Sequence, residues 1–101
     1  MSQTEIIFKS EDSLWRQLAT GERTFDFRRN DPADPRIQRL RRKPMTSHVW
    51  FLNKATEQML RLPFKGIRIL SGTNRKWVML RLGEYATVFG NTLIVDQANN
   101  P

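Results

Sequence analysis

The order of apolar and polar residues changes period several times along the chain. Glu5–Lys9, EIIFK, predicts a short strand. Ser10 then stands as an N-cap before Glu11 and Asp12, acids that suit the positive end of a helix. Leu14, Trp15, Leu18 and Ala19 recur at helical spacing, and Gly21 suits the left-handed position just past a helix end. The predicted helix covers about Glu11 to Thr20. From Arg23 to Arg28 the period becomes two. That alternation places Phe25 and Phe27 toward the core, with Thr24, Asp26 and Arg28 on the opposite face.

Pro32 and Pro35 end this strand, since proline cannot continue a ladder. Residues 30–47 are expected to form a long basic loop. One helical turn around Arg36–Arg41 is expected within it, anchored by Ile37 and Leu40. Strand patterns follow. HVWFLN (His48–Asn53) is nearly apolar on both faces, as in a central strand. MLRL (Met59–Leu62) is interrupted by Pro63 before GIRIL (Gly66–Leu70) resumes with Ile67 and Ile69 on one face. KWVMLRL (Lys76–Leu82) turns Val78, Leu80 and Leu82 inward and Trp77, Met79 and Arg81 outward. YATVF and TLIV flank Gly90–Asn91, a two-residue hairpin signal, and residues 97–101 read as a frayed tail. Several short strands with one early helix predict a single α+β domain over residues 1–101. It is a small β-barrel with one N-terminal helix and a long basic loop.

Composition narrows the chemistry. With no cysteine and a single histidine, His48, the chain offers no disulfide framework, no thiolate metal site and no cysteine nucleophile, and no metal or cofactor is expected. The absence of a signal pattern and of any run of about 18 apolar residues predicts a soluble, cytoplasmic protein with no membrane partner, read as a monomer. The formal net charge is +7. Arg28, Arg29, Arg36, Arg39, Arg41, Arg42 and Lys43 face only Asp31 and Asp34 in the same segment. Such a field attracts polyanions, nucleic acid first, an acidic protein second and an anionic membrane third. The plainer alternative is a solvated loop that serves solubility.

Asp26 and Arg28 share a face under this reading. They are either a structural ion pair, or Asp26 holds the Arg28 guanidinium flat against a phosphate or a base edge. Arg75, Lys76 and Trp77 form a second basic–aromatic cluster. There Trp77 is the better candidate for stacking on unpaired bases, with Phe64 the second. Trp15 and Trp50 read as buried, and His48 as a strand residue without catalytic duty.

Gly21, Arg23, Asp26 and Arg28 together resemble the Gly-x-Lys-x-x-Glu-x-Arg signature of ASCH domains, relatives of the PUA RNA-binding fold. The flanking KSEDSLWRQLATGERTFDFRRND is similar to the opening of a phage- and bacteria-associated ASCH-like family of unknown function (DUF3850). Arg23 stands where that family has Lys and Asp26 where it has Glu. The charge is kept while reach and proton chemistry change. The resemblance implies a PUA-like barrel whose motif-lined cleft binds RNA or coenzyme-like nucleotides. A minority of such domains are amidohydrolases that act on acylated cytidine with a Lys, a Thr and a Glu.

The expected function is therefore an RNA- or nucleotide-binding module. Arg23, Thr24, Asp26 and Arg28 form its ligand site, and Arg29, Arg36, Arg39, Arg41, Arg42, Lys43, Arg75, Lys76 and Trp77 its nucleic-acid surface. Two alternatives stand beside it. One is hydrolysis, with Thr24, Asp26 and Glu84 as the candidate catalytic groups; Arg23, in the Lys position, cannot act as a base near neutral pH. The other is a small basic phage or mobile-element protein that binds a host protein through Arg36–Lys43.

Overall fold

In the computed structural model, which describes residues 6–70, 72, 76–84 and 86–89, the chain forms six strands and two helices. In chain order these are β1 (Ile7–Ser10), α1 (Asp12–Thr20), β2 (Phe25–Arg29), α2 (Pro35–Leu40), β3 (His48–Asn53), β4 (Met59–Ile69), β5 (Trp77–Leu82) and β6 (Thr87–Phe89). The strands make one mixed sheet in the order β1-β3-β4-β5-β2, with β6 also on β4. β1 runs parallel to β3, and the other pairings are antiparallel.

The sheet curls into a half-barrel because β4 serves two partners in turn. Its first half pairs with β3 and β6, its second half with β5. A bulge at Lys65, between Phe64 and Gly66, marks the changeover and bends the strand. Pro63 does not divide this segment, contrary to the sequence expectation. It sits at the end of the β3 ladder opposite His48, where its missing N–H is tolerated, and β4 runs unbroken through it.

The concave side holds the core. Phe8, Val49, Phe51, Leu60, Leu62, Val78 and Leu80 are buried there, and Trp15 and Leu18 close it from α1. Each such side chain contributes about 1.5–3 kcal/mol. Trp15 also donates from Nε1 to the Phe51 carbonyl at 2.9 Å, tying α1 to β3. Gly21 ends α1 in the left-handed conformation, φ 83°, with its N–H on the Leu18 carbonyl. Ser10 is not the N-cap. Glu11 takes that position without a side-chain cap, and Ser10 is the last residue of β1.

The basic segment 30–47 is less of a loop than expected. α2 occupies its middle, opened by Pro35 and capped by Asp34, whose carboxylate accepts from the Arg36 N–H at 2.9 Å. Ile37 and Leu40 are buried, as their spacing predicted. Gly90–Asn91 and the TLIV segment lie outside the described residues, as does the tail. Among the described residues no helix is long and apolar enough to cross a membrane.

Candidate nucleic-acid interface

The faces of β2 are the reverse of those expected. In the β2–β5 register Asp26 lies opposite Leu80 and Arg28 opposite Val78, two core residues, so the charged pair faces the concave side. Phe25, Phe27 and Arg29 face outward with Arg81, Met79 and Trp77. Alternation alone favoured burying the phenylalanines. What decides otherwise is that β1 and β2 are the two ends of the sheet, and the seam between them exposes strand edges that need hydrogen-bond donors.

Arg28 supplies those donors. Its Nε bonds the Asp26 carboxylate at 2.5 Å, and its Nη2 donates to the Lys9 carbonyl at 3.0 Å and to Ser10 Oγ at 3.2 Å. Its guanidinium lies 4.7 Å from the Phe8 ring centroid. Asp26 is 1% exposed, so it does not line an open cleft. Burial pushes its carboxyl above the usual range, while the Arg28 charge pulls it down. Asp26 is thus enclosed in the half-barrel and paired with Arg28, not set in the open cleft expected. Arg36, expected on the nucleic-acid surface, does similar structural work. It pairs with Asp34 at 2.8 Å, donates to the Ile7 carbonyl at 2.7 Å and lies 4.4 Å from the Phe8 centroid.

Arg23 and Thr24 go elsewhere. Arg23 donates to Gln17 Oε1 at 3.0 Å and covers the Phe25 ring at 4.8 Å. Thr24 joins Phe25, Lys65, Arg81 and Glu84 around a cavity of about 540 Å³ at one end of the outward face. The four residues expected to form one cleft are thus divided among three places.

A second concavity, about 620 Å³, lies between the segment after α2 and the second half of β4. Arg41, Arg42 and Lys43 form one wall, Lys65 and Arg68 the other, and Leu40, Met45, Ile67 and Ile69 supply apolar floor and rim. No carboxylate lines it among the described residues. Arg41 is oriented by donating to Asn30 Oδ1. Arg39 sits with Arg36 and Arg42 around a smaller adjoining hollow of about 180 Å³. Lys65 and Arg68 were not singled out from the sequence. Alternation in GIRIL set Arg68 opposite Ile67 and Ile69, but only the bulge and the return of the basic segment bring it beside Arg42.

The outward face is the third feature. Trp77 is 37% exposed and Phe27 is 43% exposed. Arg29 covers the Trp77 ring at 5.5 Å. Phe64, the second stacking candidate, is 4% exposed and belongs to the core. Trp50 is half-buried, with its ring 5.1 Å from that of Phe89. His48 is a strand residue bonded to Ser47 Oγ. Lys76 is exposed at the start of β5, and Arg75 lies outside the described residues. Among the described residues no group of three or more His, Cys, Asp or Glu side chains could hold a metal.

Compared with models of protein families, with curated proteins and with solved structures, the chain matches none.

Proposed function

We propose that this protein binds RNA, with the sugar–phosphate backbone seated in the groove between Arg41–Lys43 and Lys65–Arg68. The observation that carries this reading is the convergence of five cations on one concavity with no carboxylate among its described lining residues. Like charges repel, so a groove of this kind lowers its energy by admitting an anion. A phosphate chain supplies several at once. The proposal extends to an ASCH/PUA-like barrel. The α1–Gly21–β2 arrangement and the curled sheet support it, together with the resemblance carried by Gly21, Arg23, Asp26 and Arg28. The ligand site shifts, however, from the motif itself to the groove beyond it.

The test is an anisotropy titration with labelled RNA at 50 and 200 mM salt. Neutralising about five phosphates predicts a fall in affinity of about a hundredfold between them. Weak binding that ignores salt overturns the proposal.

A second reading attaches to the other cavity. There a hydroxyl (Thr24), an ammonium (Lys65) and a carboxylate (Glu84) line one space, the three group types that the resemblance associates with amide hydrolysis on acylated cytidine. Incubation with N4-acetylcytidine decides it. Turnover that Glu84→Gln abolishes supports hydrolysis, and no release of acetate removes it.

A further inference from the structure

We infer that the outward face of β2, β5 and β4 is a stacking platform for unpaired bases, so that the RNA this protein takes is single-stranded. The inference rests on the groove's taking the phosphate backbone, and it adds what lies beside that backbone.

The sheet register lays out the face as a grid. One row across β4, β5 and β2 is Gly66, Arg81, Phe25; the next is Arg68, Met79, Phe27; and Trp77 and Arg29 form the third. Phe25 is therefore the neighbour of Arg81 and Trp77 that of Arg29, around Met79 at the centre of the grid. Phe25 and Phe27 lie 5.3 Å apart between centroids, and Arg23 and Arg29 cover Phe25 and Trp77. Of the residues in these three strands the only acid is Asp26, and it faces the other side. Arg68 belongs both to this grid and to the groove wall, so the two surfaces are continuous.

Charge selects the occupant. An exposed aromatic cluster on a sheet could dock a second copy of the chain or another protein. A second copy would bring the same arginines against these, in a molecule of net charge +7. A partner with flat rings and one negative charge per unit satisfies both halves of the grid. Unpaired nucleotides have that chemistry, and paired ones hide their rings.

The experiment compares a single-stranded RNA 12-mer with a duplex of equal total charge. Binding is read by anisotropy and by tryptophan fluorescence. Trp15 is buried and Trp50 half-buried, so quenching by stacked bases is expected to come from Trp77. Trp77→Phe should abolish the quench and retain affinity. The double variant Phe27→Ala/Trp77→Ala should lose about tenfold or more in affinity for the single strand, because one stacked base alone accounts for that much. Duplex binding should stay unchanged in the same variant. Both side chains are outside the core, and an unchanged thermal midpoint confirms the fold. Single-strand affinity untouched by the double variant overturns the platform, as does a quench that survives Trp77→Phe. Arg42→Glu/Lys43→Glu separates the two claims. If it leaves all binding intact while Phe27→Ala/Trp77→Ala weakens the single strand, the groove fails and the platform stands. If it removes all binding while the platform variants change nothing, the platform alone fails. If neither RNA binds at low salt, both fall.

Discussion

Arg28, on one end strand of the sheet, donates to the backbone carbonyl of Lys9 on the other, 19 positions away in sequence and 3.0 Å in space. Arg36 does the same to Ile7, two residues earlier on the same strand. Alternate carbonyls of a strand point the same way, so these two guanidinium groups cap one edge of β1. An edge left bare is a template for pairing with another chain. The Asp26–Arg28 pair is accordingly a clasp across the seam of the half-barrel.

The first prediction follows from that clasp. Arg28→Ala leaves Asp26 buried without its partner and should cost about 3 kcal/mol. Arg28→Lys should not restore the loss, because one ammonium cannot span the carboxylate, the Lys9 carbonyl and Ser10 Oγ in the plane a guanidinium offers. Urea unfolding of the two variants checks this; Arg28→Lys with wild-type stability contradicts it.

Acid sensitivity gives the second. The Arg36 guanidinium holds the Asp34 carboxyl below its ordinary value of 3.8. A carboxyl lowered in the folded state contributes stability that is complete above 3.8. That contribution is lost as pH falls through 3.8 toward the folded value, because the unfolded chain takes up its proton first. Asp34→Asn keeps a capping oxygen but removes the charge. The variant should be less stable by about 0.5 kcal/mol at pH 7, a small figure because the Arg36 side chain is 43% exposed and water screens the pair. The difference should shrink as pH falls below 3.8. Chemical denaturation at pH 7 and at low pH measures it, and a constant difference at all pH values would count against the ion pair.

The third concerns the wall between the 540 Å³ cavity and β4. A Cβ on Gly83 would stand 3.0 Å from Pro63 Cγ and 3.1 Å from its Cβ. The ring belongs to a β4 residue paired with His48 of β3, so its backbone is held in the sheet and the contact can be relieved only by a shift of the ring or of Gly83. Gly83→Ala should therefore destabilise by about 1–3 kcal/mol through overpacking. A thermal midpoint within a degree of wild type would show that the strand yields.

Much of the fold was legible in the chain. Leu14, Trp15, Leu18 and Gly21 marked α1; Ile37 and Leu40 marked the turn that became α2; and Val78, Leu80 and Leu82 gave the facing of β5. The site was legible in part. Clustering along the chain picked out Arg41, Arg42 and Lys43, because they reach the groove as neighbours. Lys65 and Arg68 reach it through a bulge and a strand pairing, neither of which has a local signal. The facing of β2 escapes the sequence for a related reason. Period-two alternation defines two faces, and which one is inward depended on the seam with β1, a contact between segments far apart in sequence.

Lys65 carries the last prediction. It lines both the basic groove and the cavity that holds Thr24 and Glu84, and the bulge places it between them. If its ammonium neutralises one phosphate, Lys65→Gln should weaken RNA binding alike for every sequence. It should also lower the slope of log affinity against log salt by about 0.7. Asp26→Asn, which alters the clasp and not the groove, should leave that slope unchanged while lowering stability. Titrations at four salt concentrations for the two variants read both quantities. A slope that moves with Asp26→Asn and not with Lys65→Gln would return the phosphate contact to the concave side of the sheet, where the Asp26–Arg28 pair lies.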